Sequence, residues 1–219
     1  MAPGDETFPW ERCREVLGAV PDPANVPLEP KGRFFEAPGR RIWPPLWLPP
    51  GPGCRHLADY LDLLPERPGR HLVLLLQAGA ASLGMFAGGE ELATKSFKRY
   101  VVRGRGRGQP KHLESKGKSR YGSRLRLQNH QKLLEETNER LAAWWDEFGP
   151  AHEVYFNGPP RLLADLFAVK PPPPFEREPK PRRIPRDLPR PTTDVLQRAY
   201  KALGYGRIEP FGTEPEKAG

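Results

Sequence analysis

Hydrophobic positions fall into distinct regimes along this chain. From Trp10 to Val20 they recur at helical spacing (Trp10, Cys13, Val16, Leu17, Val20), and the pattern stops at Pro21. From Pro21 to Gly53 prolines interrupt every run. Phe34, Phe35, Ile42, Trp43, Trp47 and Leu48 are expected to dock there as an extended arm, because proline suits edge and irregular segments. Cys54 to Leu64 predicts a short helix. His71 to Gln77 is a continuous apolar run bounded by Gly69 and Gly79, the pattern of a central strand buried on both faces. Ala80 to Ala87 and Leu92 to Arg103 predict two more strands, with Gly88 and Gly89 as the turn between them.

Beyond a polar, basic stretch, Arg124 to Phe148 predicts one long helix. Leu127, Leu134, Leu141 and Phe148 recur every seven residues and, with Leu133, Trp144 and Trp145, make one apolar stripe. Glu136 and Arg140 stand four apart in the favourable order, and Pro150 stops the helix. His152 to Phe156 predicts another buried strand, and Pro159 to Phe167 a helix with proline near its start. Lys170 to Pro191 is a Pro-rich, basic linker expected to be extended and partly polyproline II. Thr192 or Thr193 then caps a helix from about Asp194 to Leu203, and Arg207 to Phe211 returns as a strand.

Strand, strand, strand, helix, strand, helix, helix implies an α/β (α+β) fold, a mixed β-sheet flanked by helices. The expected organisation is an N-terminal helix and Pro-rich arm over residues 1–70 packing on a core of 71–211, with the 170–191 linker inside that core. Residues 212–219 are expected to be a disordered tail.

Charge narrows the partners. Thirty-five Lys and Arg against 27 Asp and Glu leave a net charge of +8 over 219 residues. That balance favours RNA or DNA, with an acidic membrane surface second. No apolar run reaches the roughly 18 residues of a membrane span, and Met1 to Trp10 lacks the basic-then-apolar pattern of an export signal. Cys13 and Cys54 are too few for a disulfide framework and lack metal-ligand spacing, so two reduced thiols in a cytoplasmic protein are expected. No metal or cofactor site is visible.

The candidate chemistry lies between Lys95 and Arg126. Gly104, Gly106 and Gly108 alternate there with Arg105 and Arg107, and the alternation ends on the uncharged amide Gln109. Lys98, Arg99, Arg103, Lys111, Lys116, Lys118, Arg120, Arg124 and Arg126 surround it, with Glu114 the only acid from Lys95 to Arg126. Glycines let backbone approach a ligand closely, and arginines match phosphate oxygens. A P-loop would need Gly-Lys-Ser/Thr opening a helix, and a dinucleotide fingerprint a distant acidic partner, and neither is present. Two readings stay open: an RGG-like RNA tether, and a mobile loop presenting Gln109 to an RNA 3′ end. His112, three residues past Gln109, is the candidate acid/base, with a solvated polar side chain as its competing role. Basic residues at the start of the long helix oppose its dipole, which a bound phosphate would offset.

The segment Phe97-Lys98-Arg99-Tyr100-Val101-Val102-Arg103, followed by a Gly-rich loop ending in Gln109, resembles the Vms-like release-factor family. This is the ribosome quality-control branch of the archaeo-eukaryotic peptide-chain release factors. Gly122-Ser123-Arg124-Leu125-Arg126 agrees with it, as does Arg190-Pro191-Thr192 leading into Val195-Leu196-Gln197-Arg198. The resemblance covers about His71 to Glu209. It implies a fold similar to the central catalytic domain of those factors, and action on peptidyl-tRNA held by a large ribosomal subunit.

On this resemblance the family's functional glutamine falls on Gln109, preceded by Gly108. Translation-termination factors carry Gly-Gly-Gln, whereas this chain has Arg107-Gly108-Gln109. The zinc finger, ankyrin repeats and partner-binding tail of the eukaryotic relatives are not visible here. The implied partners are the large ribosomal subunit, peptidyl-tRNA and ribosomal RNA, with no membrane, no cofactor and a monomeric state expected. Three outcomes stay open: ester hydrolysis of peptidyl-tRNA, endonucleolytic cleavage near the tRNA 3′ end, and ribosome or RNA binding without catalysis.

Overall fold

The computed structural model describes residues 6–31, 33–99 and 118–210, with side chains described from Arg124 onward in the helix that begins at Lys118. In chain order the first elements are β1 (Glu6–Pro9), α1 (Cys13–Gly18), β2 (Leu28–Glu29), β3 (Phe34–Ala37), β4 (Arg40–Trp43) and α2 (Leu57–Leu63). There follow β5 (Arg70–Gln77), β6 (Ala80–Ala87), β7 (Glu90–Lys98), α3 (Lys118–Phe148), β8 (Glu153–Asn157), α4 (Pro160–Ala168) and β9 (Arg182–Arg183). The last are α5 (Thr193–Leu203) and β10 (Tyr205–Pro210). The chain divides into two compact units, one of residues up to Pro68 and from Ala199, the other Gly69–Arg198. The division falls inside α5.

In the unit from Gly69 to Arg198 the sheet order is β7-β6-β5-β8-β9. β5 is central, antiparallel to β6 and parallel to β8, with Leu74 opposite Leu83 on one side and Phe156 on the other. This explains the unbroken apolar run of the sequence. Both faces of β5 are covered, and Leu72, Val73, Leu74, Leu75 and Leu76 are all at or below 1% exposure. Leu72, Leu74 and Leu76 join Leu83, Met85, Leu133, Leu134, Leu141, Trp144, Phe156 and Leu166 in one core cluster. β7 lies at the sheet edge and keeps charges there (Glu90, Glu91, Lys95, Lys98), which discourage edge-to-edge pairing.

α3 starts at Lys118, earlier than the apolar stripe suggests. Leu134 and Leu141 are buried as expected, but Leu127 is 67% exposed. A 31-residue helix runs about 46 Å, whereas an eight-residue strand covers about 27 Å. The first turns of α3 are therefore longer than the sheet can cover. Its end is set by Gly149 at φ 79°, whose N–H donates to the Trp145 carbonyl at 2.9 Å, just before Pro150.

The Pro-rich 170–191 segment is extended but docked, not a free linker. β9 pairs parallel to β8, and Ile184 is 1% exposed with its N–H on the Phe156 carbonyl at 2.9 Å. The Asn157 amide donates to Arg186 O at 2.8 Å and the Gln77 amide to Leu188 O at 3.1 Å. The outer edge of β8 offers backbone groups that need partners, and the segment supplies them.

The other unit is a sheet of its own, not an arm alone. Its order is β1-β10-β4-β3-β2, antiparallel throughout, with Ile208 opposite Ile42 and Phe35 opposite Ile42. β10 thus pairs with the N-terminal strands β1 and β4 and takes no part in the sheet built on β5. Phe8, Leu17, Phe35, Ile42 and Leu57 are at or below 1% exposure and fill its core. Gly206 makes room for Phe8, since a Cβ there would lie 2.3 Å from the Phe8 ring.

Candidate nucleic-acid interface

The basic segment is held at both ends by one scaffold. β7 carries the chain to Lys98, and α3 receives it at Lys118. At the departure point the Arg99 N–H donates to the Gly79 carbonyl at 2.9 Å, extending the β6–β7 pairing by one residue. The Arg99 side chain then turns onto α3, where its Nε donates to Glu136 Oε2 at 3.1 Å and its Nη2 to Glu136 Oε1. The hydrogen bonds to Glu136 hold the Arg99 guanidinium pKa above its ordinary value. Arg99 was expected among the phosphate-binding residues, but its fork is committed to an internal carboxylate.

Lys98 lies one residue earlier, exposed at the end of β7. It lines a cleft of about 400 Å³ with Ser96, Phe97, Arg190, Thr192 and Thr193, beside the start of α5. The Thr192 hydroxyl accepts from the Val195 N–H at 3.2 Å, the capping bond expected of a threonine at that place. Arg190 reaches the Gly79 carbonyl at 3.5 Å. The β5–β6 turn, the foot of the basic segment and the approach to α5 therefore meet at one end of the sheet.

On α3, Arg124 is exposed and Arg126 half-buried. Lys118 and Arg120 belong to the helix, and their side chains lie outside the described residues, as does that of Tyr121. His130 is half-buried with Nε2 3.3 Å from Asp165 Oδ2. The pair lines a groove between α3 and α4 that also contains Leu127, Leu134, Arg161 and Lys170. Gln109, Gly108, His112, Gly104, Gly106, Arg103, Arg105, Arg107, Lys111 and Lys116 lie outside the described residues, with Tyr100 and Glu114.

Two features escaped the sequence. Glu136 stands in a helix with many charges, and its pairing with Arg140 looked the natural one. Arg190 sits in a Pro-rich segment whose basic residues look uniformly solvated. Lys98 among the basic candidates, Thr192 and Thr193 as caps, and Arg190-Pro191-Thr192 in the family resemblance were separate signals, and nothing in the sequence joined them into one cleft. Among the described residues no group of three or more His, Cys, Asp or Glu is placed to hold a metal ion, and no helix is long and apolar enough to cross a membrane.

A family model described as the Bacteroidetes VLRF1 release factor (bVLRF1) matches residues 71–210. The chain is similar to the tRNA endonuclease ANKZF1 of Mus musculus, at 32% identity over 142 residues. That match takes in 62% of this chain and 19% of the mouse protein, so the chain spans about a fifth of its relative's length. Among solved structures, the Vms1 mitochondrial localization core is similar at a TM-score of 0.53 and 12% identity, over 82% of this chain and 76% of that one. At that identity the likeness is one of fold.

Proposed function

The chain belongs to the Bacteroidetes VLRF1 release factor family, and on that premise we propose that it frees nascent peptide from stalled peptidyl-tRNA on the large ribosomal subunit. One observation carries this reading. The family match runs through the scaffold of β7 and α3, which brackets the segment holding Gln109. The same segment carries Arg103, Arg105, Arg107, Lys111 and Lys116 against a single acid, Glu114.

Cleavage of a peptidyl-tRNA ester needs an oriented water and donors aimed at the oxyanion that develops on the carbonyl. Gln109 meets both needs. Its side-chain oxygen accepts from the attacking water, or its backbone N–H donates to the oxyanion. Gly108 leaves room for that backbone beside the CCA end. The arginines and lysines hold acceptor-end and ribosomal RNA phosphates, fixing position without reading sequence. His112, three residues past Gln109, is the candidate acid for the departing ribose oxygen. The protein works as a cytoplasmic monomer and requires no metal or organic cofactor.

A second reading shares this docking. The similarity to a protein named as a tRNA endonuclease supports attack by the RNA's own 2′-hydroxyl on the adjacent phosphodiester, which cuts the tRNA near its 3′ end. Purified stalled large subunits carrying labelled peptidyl-tRNA separate the two. Free peptide with an intact tRNA 3′ end, lost in Gln109→Ala while binding is retained, is the expected result. Peptide still bearing a short 3′ fragment would establish the nuclease. Unchanged release by Gln109→Ala would overturn the catalytic reading and leave a binding factor.

A further inference from the structure

We propose that the cleft between the end of β7 and the start of α5 is a phosphate subsite that grips the RNA backbone beside the Gln109 segment. Arg190 and Lys98 supply its charge. The inference rests on the release-factor reading for the identity of the RNA, but the site itself is argued from its own chemistry.

A chain of three hydroxyls runs into this cleft. Ser82 Oγ is 2.9 Å from Ser96 Oγ, which is 3.0 Å from Thr193 Oγ1. Ser82 is fully buried. Its proton needs a buried acceptor, and Ser96 Oγ is the one in reach, so Ser82 donates and Ser96 accepts. Three hydroxyls own three protons, and two hydrogen bonds use two of them. The third is left on Ser96 or on Thr193, and both residues line the cleft. Thr192 adds another donor, because its oxygen already accepts from the Val195 N–H while its proton is uncommitted in that bond. The wall thus presents hydroxyl donors toward the cleft, which suits an acceptor-only ligand.

Charge agrees with that polarity. Lys98 and Arg190 are both exposed and make no ion pair among the described residues, and Arg190 reaches Gly79 O at a long 3.5 Å. Both cations stand where a strongly solvated anion would otherwise find no partner. Among the described residues Asp194 is the one acid on the lining, so those side chains sum to one positive charge. A cleft of about 400 Å³ takes one phosphate with part of its sugar and not a folded peptide segment. Gly79 links the site to the reaction. Its carbonyl receives both the Arg99 N–H, at the last described residue before the Gln109 segment, and the Arg190 guanidinium. A phosphate held by Arg190 and Lys98 therefore registers the RNA at the foot of that segment.

The test uses the full chain and a fluorescent RNA hairpin ending in CCA, with affinity measured across a salt series. Each lost phosphate contact lowers the log–log salt slope by about 0.7–0.9. Arg190→Gln and Lys98→Gln are each expected to weaken binding about three- to tenfold and to reduce the slope by about one contact. The exposed Arg183→Gln on β9 serves as the reference and is expected to leave the slope unchanged. Asp194→Asn removes the opposing charge and is expected to tighten binding, a sign that loss of folding cannot mimic. Slopes equal to wild type in both Arg190→Gln and Lys98→Gln would overturn the subsite. So would unchanged hairpin affinity with lost binding to the large subunit, which would make the cleft a protein contact. The release-factor reading fails separately, through Gln109→Ala in the release assay.

Discussion

Arg99 and Glu136 form a two-pronged ion pair that joins the last turn of the β7 path to the middle of α3. Arg99 is the residue at which the described chain enters the basic segment, and Glu136 lies 37 positions further on. The pair ties the residue just after β7 to α3, so Arg99 is held in place before any RNA arrives. Preformed anchoring of this kind lowers the ordering cost of binding.

Glu136→Gln tests that anchor. Both side chains are about one-third exposed, so the pair contributes on the order of 1 kcal/mol or less to stability. A thermal melt should shift by only a few degrees. The release rate should fall several-fold more than this stability loss implies, because the foot of the segment is no longer fixed. Equal release by wild type and Glu136→Gln would show that the pair is structural only.

Gly84 tests the packing of α5 on the sheet. A Cβ at this position would lie 2.5 Å from the Phe86 ring and 2.6 Å from Leu196 Cδ2. Gly84→Ala should cost about 1–3 kcal/mol by overpacking, read as a lower urea midpoint at unchanged slope. Leu196→Ala opens a cavity of its own, and in that background Gly84→Ala should cost less, because the clashing methyl is gone. Full additivity in the double-mutant cycle would mean that the two residues do not meet.

Asn138 is completely buried, and its Nδ2 donates to both the Leu166 carbonyl at 2.9 Å and the Pro171 carbonyl at 2.8 Å. It ties α3 to the end of α4 and to the start of the Pro-rich segment. Asn138→Ala leaves two carbonyls without that donor and opens a small cavity. A loss of about 2–3 kcal/mol is expected in chemical denaturation. A loss under about 0.5 kcal/mol, inside the range of neutral surface substitutions, would mean that water replaces the amide.

Cys13 and Tyr60 give the protein an alkaline limit. Burial pushes the Cys13 thiol up to about 11 from 9.0, against the smaller downward pull of the Tyr60 hydrogen bond and of Arg14. Burial, and then Cys13, also push the Tyr60 hydroxyl above its ordinary 10.0. A raised folded pKa means the unfolded chain ionises first. The stabilisation is therefore complete below pH 9, falls as pH rises, and is lost through about 11. For Cys13 the two-unit shift corresponds to about 2–3 kcal/mol at most. The stability gap between wild type and Cys13→Ala should be flat from pH 7 to about 8.5 and shrink toward pH 11. A pH-independent gap would contradict the shift. The same burial predicts slow alkylation of Cys13 in the folded protein at neutral pH.

Much of the scaffold was legible because its signals are local. The apolar run from His71 to Gln77 reads as a strand covered on both faces, and Gly88-Gly89 between two apolar runs as a turn, and both are found. Thr192 before an acid and an apolar repeat marks a helix start that the Val195 N–H confirms. Less legible was the far end of each pattern. The heptad continued to Leu127 although α3 outruns its sheet there, since periodicity records which side of a helix is apolar and not how far the partner surface extends. The N-terminal arm hid four strands of a five-stranded sheet, because strands as short as Phe34–Ala37 and Arg40–Trp43 carry too few residues for alternation to stand out among prolines.

By itself the sequence determined the order of β5, β6, β7, α3, β8, α4 and α5, the basic Gly-rich segment with Gln109 in it, and the family resemblance that the match over residues 71–210 bears out. Those are properties of neighbours along the chain, where spacing and residue type act over a few positions. The tertiary structure alone decided that β10 pairs with β1 and β4, that Arg99 is spent on Glu136, and that Arg190 and Lys98 face one cleft. Each of these joins residues separated by tens to about two hundred positions. Which distant partner wins depends on burial and hydrogen-bond satisfaction across the whole fold, and no local pattern encodes that competition.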